Sequence, residues 1–239
     1  MVALWLVVPA LAALAYALFM LPQSQLFGRY PYRATPEDRV VALTFDDGPN
    51  EPYTSEILNV LSRRGVRGTF FQVGRCVQRH PETTARIAAA GHVIGNHSLT
   101  HRFGTYLRPG AFRREVRQTQ QVLRERLGRT PALARTPWLW RQPALLRMLR
   151  REGLEPVAGV FGHPLEVFHR DGAAMAGRAI ARTRPGTILI FHDGFDGRTG
   201  DRSQTVKAVE LTVDGLRERG YRFVTVDELL GIPAYREAT

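Results

Sequence analysis

One stretch constrains the fold of this chain more than any other. Val40 to Phe45 is an unbroken apolar or β-branched run, and it ends in Asp46-Asp47-Gly48-Pro49. A run of that length bounded by a Gly-Pro break reads as a strand buried on both faces, the pattern of a parallel sheet. Two carboxylates where such a strand finishes need partners. Strand-like and helix-like segments alternate downstream of it. Further strands are expected at Thr69–Val73, His92–Gly95, Ala132–Arg135, Pro156–Val160, Thr187–Phe191 and Tyr221–Val226. Between them, Thr54 to Arg64 carries Ile57, Leu58 and Leu61 on one face and stops at Gly65. A second helix starts at Pro81 and stops at Gly91. Phe112, Val116, Thr119, Leu123 and Leu127 mark a third helix face, and Val206, Val209, Val213 and Leu216 a last one. Alternation of this kind calls for a parallel sheet with helical crossovers. The expected fold is α/β, a distorted (β/α) barrel of about seven parallel strands whose working residues sit at the C-terminal strand ends.

Residues 1–22 form a hydrophobic segment with no charged side chain between Val2 and Leu21. Twenty helical residues span about 30 Å, the thickness of a bilayer core, so a transmembrane anchor is expected; a cleaved signal with a site at Ala15-Tyr16-Ala17 is the alternative. Residues 23–37, with Pro22 just before them and Pro31 and Pro36 within, read as a linker, 38–232 as one domain and 233–239 as a tail. Arg29, Arg33 and Arg39 follow the span and by the positive-inside rule would hold the domain in the cytoplasm. A glycan substrate would instead place it outside the membrane, and an extracytoplasmic domain on a single-pass anchor is the expected arrangement. Net charge is +11, and every basic residue but Lys207 is arginine. That favours anionic company, but no nucleic-acid recognition motif accompanies it. Cys76 is the only cysteine, which excludes an intrachain disulfide and thiolate metal clusters.

Four polar groups stand at strand ends. Asn96-His97-Ser98-Leu99-Thr100-His101 follows the third strand, and a helical turn there would put His97 and His101 on one side. Two imidazoles and one carboxylate, Asp46 or Asp47, would make a three-ligand site for Zn²⁺ or a similar divalent ion. His192 follows directly on the strand expected at Thr187–Phe191 and is suited to donate a proton. Arg135 ends the strand from Ala132 and would hold Asp46 ionised.

Together, Thr44-Phe45-Asp46-Asp47-Gly48, His97-Ser98-x-x-His101, Arg135-x-Pro137-Trp138 and Ile190-x-His192-Asp193 resemble the NodB-type polysaccharide deacetylases, carbohydrate esterase family 4. The resemblance runs from about Arg39 to Leu230. It implies metal-dependent hydrolysis of an N-acyl, usually N-acetyl, group on an amino sugar, with zinc the leading ion and cobalt or nickel alternatives. By the same resemblance Asp47, His97 and His101 are the metal ligands, Asp46 the base, His192 the acid, Arg135 the residue that tunes Asp46, and the backbone near Trp138 an oxyanion donor. The sequence departs from the family at Thr136 (usually Pro), at Ile190 (usually Leu) and at Glu166-Val167, where an Asp-Trp pair is usual. Glu166 is placed to orient His192; Val167 supplies no indole wall. Expected partners are an amino-sugar glycan or, as an alternative, a polyprenyl-phosphate-linked sugar processed by a deformylase or deacetylase. A glycan-binding protein without turnover is a third reading.

Overall fold

The computed structural model describes residues 2–108, 110–164 and 166–236, with side chains from Val7 onward. The strand that ends in the two aspartates is central. In β1 (Val40–Asp46) all seven residues are buried, which is why it reads as a continuous apolar or β-branched run up to Asp46 instead of alternating. The remaining strands are β2 (Thr69–Gln72), β3 (Val93–Asn96), β4 (Thr130–Pro131), β5 (Leu133–Ala134), β6 (Glu155–Pro156), β7 (Val160–Phe161), β8 (Ile188–His192), β9 (Arg222–Val224) and β10 (Tyr235–Arg236). The main sheet is parallel in every pairing and runs β6-β5-β3-β2-β1-β8-β7, seven strands curled into a half-barrel. β9 pairs with the first residues of β1.

Helices pack outside: α1 (Val2–Phe19), α2 (Tyr53–Arg63), α3 (Gly74–Arg79), α4 (Pro81–Ala89), α5 (Ala111–Leu127), α6 (Pro143–Arg151), α7 (Gly172–Arg182), α8 (Ser203–Glu218) and α9 (Val226–Leu230). Pro81 occupies the first turn of α4, as its fixed φ suits. Ile57 and Leu61 of α2 and Val209, Val213 and Leu216 of α8 close over Leu43, Phe45, Phe70 and Phe191 to form the largest core cluster. Register then sets the working rim. Asp46 lies opposite His192 on β8 and Phe71 on β2, and Asn96 on β3 lies opposite Ala134 on β5. Asp47, His97, Arg135 and His192 therefore leave the sheet at the same edge.

Two expected strands are altered by contacts from distant parts of the chain. The strand expected over Pro156–Val160 is divided into β6 and β7 because the carbonyls between them are drawn inward: Arg135 Nε donates to Val157 O (3.1 Å) and Nη2 to Ala158 O (2.9 Å). The strand expected over Ala132–Arg135 is shortened to β5, and the N–H of Ala132 donates to Ala234 O at 2.9 Å. Within the segment expected as a tail, β10 pairs antiparallel with β4; residues 237–239 lie outside the described residues. The expected linker is likewise packed on the domain. Tyr30 is fully buried and its hydroxyl sits 2.8 Å from Thr136 Oγ1, while Ala34 N–H donates to Gly186 O at 2.8 Å.

The transmembrane expectation is not supported. Among the described residues no helix is long and apolar enough to cross a membrane. The C-terminal end of α1 turns onto the domain: Phe19 stacks on Trp140 with ring centroids 5.1 Å apart, and its carbonyl accepts from Arg141 N–H at 3.0 Å.

Candidate active site

Backbone conformation marks the rim before any side chain is considered. Among the described residues, the non-glycine positions with φ in the left-handed region are Asp47, Ser98, His101, Trp138, Leu139 and Asp196. All six lie at this rim. Each such conformation costs on the order of 1–3 kcal/mol and persists where surrounding contacts over-determine it. At Asp47 the contacts are close. A Cβ on Gly48 would fall 2.0 Å from Asp193 Oδ2, and one on Gly194 would fall 2.5 Å from Asp47 O, so both neighbours must be glycine.

The φ of 77° at Asp47 swings its carboxylate away from Asp46 and towards two imidazoles. Asp47 Oδ1 lies 3.3 Å from His97 Nε2 and 3.1 Å from His101 Nε2, and all three side chains are buried. No helical turn brings the histidines together, contrary to the expectation from their spacing. Residues 97–101 form a loop with left-handed turns at Ser98 and His101. It is stapled by Ser98 N–H to Asn96 Oδ1 (3.0 Å) and by Leu99 and Thr100 N–H to Glu115 Oε2 (3.0 and 2.7 Å). Outer partners fix each ring. His97 Nδ1 donates to the Arg135 carbonyl at 2.8 Å, and His101 Nδ1 is 3.2 Å from Asp196 Oδ1. Both Nε2 atoms are thereby aimed at Asp47, the outer-partner arrangement of metal-ligating histidines.

A divalent ion fits these residues. Three buried ligand atoms lie within 4.8 Å of one another, and Asp47 Oδ1 has no hydrogen-bond partner of good geometry although it is buried. Such an orphan is rare in a folded protein. The electrostatics agree. Burial pushes the Asp47 carboxyl up, but His101 and His97 more than offset that and hold it well below the carboxylate range. Burial works against a charge on His101, yet Asp47 and Asp196 outweigh it and raise its pKa to about 10. The centre is built to hold positive charge.

Beside it stand the other polar groups. Arg135, 1% exposed, donates through Nη1 to Asp46 Oδ1 and to Thr44 Oγ1, both at 2.7 Å, under the ring of Phe71 at 4.2 Å. His192 is held from behind by Glu166: Nδ1 to Oε2 is 2.6 Å, and Glu166 Oε1 also accepts from the His192 backbone (3.2 Å) and Thr205 Oγ1 (2.7 Å). Burial opposes protonation of His192, but Glu166 chiefly overcomes it and brings the pKa up to about 9. Asp193 faces the other way. It accepts from Thr54 Oγ1 (2.6 Å) and Gly48 N–H (3.2 Å) and braces the Asp47 turn, with burial lifting its carboxyl to about 7.

These groups open into a cavity of about 230 Å³. Trp138, half-buried, lines it and lies 4.4 Å from the His101 ring. Pro137 is buried at the start of the short turn that carries Trp138, and Ile190 is buried among Tyr30, Leu139 and Ala158, away from the cavity. Val167 reaches the wall, but the aromatic surface comes from elsewhere: Phe161 stacks on His192 with centroids 6.1 Å apart, and Phe168 and Phe195 meet edge to face at 5.8 Å. His163 also lines the cavity.

Sequence reasoning missed Asp196. It serves twice, with its carboxylate on His101 and its N–H donating to Asp47 Oδ2 at 2.9 Å. The only local signal was its place in the glycine-rich stretch Gly194–Gly200, which reads simply as a loop near His192.

The chain is similar to known proteins over most of its length. The polysaccharide deacetylase family profile matches residues 33–157. The chain is 30% identical over 194 residues to a peptidoglycan-N-acetylglucosamine deacetylase of Bacillus cereus, covering 81% of this chain and 89% of the relative. It is 33% identical over 196 residues to a chitooligosaccharide deacetylase of Rhizobium leguminosarum bv. trifolii, covering 77% and 89%. A crystal structure of a peptidoglycan N-acetylglucosamine deacetylase superposes with a TM-score of 0.81 at 26% identity, covering 87% of this chain and 95% of that one.

Proposed function

The chain belongs to the polysaccharide deacetylase family, and from that membership we propose that it hydrolyses N-acetyl groups from amino-sugar residues of a glycan, with peptidoglycan the first polymer to test. One observation carries the reading. Asp46 and His192 are register partners on adjacent strands, beside Asp47, His97 and His101, so a base and an acid flank a single ligand centre.

Asp47, His97 and His101 would hold the divalent ion, zinc being the leading candidate and cobalt or nickel compatible with the same donors. When bound, that ion supplies Lewis acidity towards the amide carbonyl and acidifies water. Asp46 takes the proton of the attacking water. Arg135 occupies Oδ1 of Asp46, which orients the carboxylate and leaves Oδ2 to accept. Charge that builds on the carbonyl oxygen is met by the Trp138 N–H, whose left-handed backbone sits at the cavity wall. His192 then gives its Nε2 proton to the departing nitrogen. Glu166 on Nδ1 fixes the ring's direction and stabilises the protonated form. The C–N bond breaks, and a free amine and acetate leave.

Protein loaded with zinc or cobalt should release acetate from chitotetraose or from de-O-acetylated peptidoglycan. Asp46→Asn should lower kcat by about 10²–10⁴-fold with bound metal retained. Absence of acetate from every amino-sugar glycan tried, with metal content verified, would overturn the reading. The proposed place of action is outside the cytoplasm, where wall glycan lies; a C-terminal reporter fusion active only in the cytoplasm would contradict it.

A further inference from the structure

Trp138 and Leu139, both at φ 55°, stand side by side in the left-handed region and line the catalytic cavity. Two consecutive non-glycine residues keep that conformation only where their surroundings impose it. Within the turn, Leu139 N–H donates to Thr136 O at 2.9 Å and Trp140 N–H to Pro137 O at 3.1 Å. A further hold comes from outside the residues that the family profile matches. That match begins at residue 33, and the hydroxyl bonded to the turn belongs to Tyr30.

The proton directions at this contact are fixed. Thr136 N–H donates to the Tyr30 hydroxyl oxygen at 3.1 Å, and Thr136 Oγ1 commits its proton to Trp140 O at 2.7 Å. The Tyr30 hydroxyl, 2.8 Å from Thr136 Oγ1, therefore donates to it. One phenol thus accepts from the backbone where the turn begins and donates to the side chain that spans the turn. Tyr30 is itself locked. It is fully buried, its N–H and carbonyl both bond the Gln25 amide at 2.8 Å, and the Arg141 guanidinium lies 5.0 Å from its ring centroid. Arg141 closes the far end of the turn on the same segment, through its N–H to Phe19 O at 3.0 Å and its Nη1 to Ser24 O. The residue at 136 makes the contact possible. Proline has neither an N–H nor a hydroxyl to offer Tyr30, although the φ of −79° at Thr136 lies within proline's range.

We infer that Tyr30 is a positioning residue for the deacetylation step: acting through Thr136, it holds the turn that presents the Trp138 N–H to the carbonyl oxygen. The inference rests on the deacetylase reading, and one arm of its test needs no turnover. In steady-state kinetics on chitotetraose, with zinc content verified, Tyr30→Phe should lower kcat about tenfold, a fraction of what deleting such a donor costs, and leave KM unchanged. Adding Thr136→Pro should recover most of the lost kcat, because proline removes the N–H left without a partner and fixes φ. A lower melting temperature with unchanged kcat, or a double variant no faster than Tyr30→Phe, overturns the inference while leaving the deacetylase reading intact. Amide hydrogen exchange across residues 136–140, read by mass spectrometry, is the second arm. Faster exchange in Tyr30→Phe at unchanged zinc affinity supports the hold on the turn, and equal exchange overturns it. If the wild type releases no acetate, the deacetylase reading falls and the exchange measurement still decides whether Tyr30 holds the turn.

Discussion

The two sides of the catalytic rim are built differently. On one side, Asp46, Asp47, His97 and His101 leave β1 and β3, each at most 6% exposed and each tied by hydrogen bonds or ion pairs to another part of the chain. On the other, Glu166, Val167 and Phe168 sit on a single turn after the two-residue strand β7, and exposure climbs along it from 3% at Glu166 to 69% at Phe168. Chemistry needs fixed distances, so it is placed on strands paired on both sides. The second side leaves open surface beside the cavity, at the irregular edge where the half-barrel does not close. Glu166 links the two sides, reaching from this turn to the His192 ring.

Removing a ligand from the fixed side should break the contrast outright. His97→Ala, or chelation of the wild type, is expected to abolish activity. Readdition of zinc after chelation should restore it, and His97→Ala protein should bind less than one equivalent of metal by atomic absorption. Next in size is Asp196, which holds His101 and Asp47 from the loop 194–200. Asp196→Ala is expected to weaken metal affinity about 10–100-fold, the usual effect of losing an outer partner. Competition with a chromophoric chelator measures this without turnover, and an unaltered affinity would reduce Asp196 to a packing role. The smallest effect sharpens the link between the sides. In the proposed mechanism His192 acts in its protonated form and Glu166 raises its pKa, so activity should fall as pH rises through about 9. Glu166→Gln removes the negative charge, lowers that pKa and should shift the alkaline limb of kcat/KM towards neutral pH. An unmoved limb would mean that another group sets it.

Much of this was legible in the chain before folding. β1, β2, β3 and β8 were readable because each is a short apolar run bounded by turn residues, and α2, α4, α5 and α8 because apolar positions recur at helical spacing and glycine follows. The rim residues could be read as a set because Asp46, Arg135 and His192 each end or follow such a strand. The short strands β4 to β7 were not legible as separate pieces. The contacts that alter them come from Arg135 and Ala234, 22 or more residues away in sequence from Val157 and far from Ala132. The role of Asp196 was hidden for the same reason, since its partner His101 lies on another loop.

By itself the sequence determined which segments are buried and in what order the polar groups end them, because periodicity and composition report local burial directly. Tertiary structure decided how those groups face one another: the left-handed turn at Asp47, the loop that replaces a helix between His97 and His101, and the docking of residues 23–36 on the domain. Each depends on a hydrogen bond or close approach between distant parts of the chain. Such contacts leave no period in the sequence, because the free energy that settles them is not local.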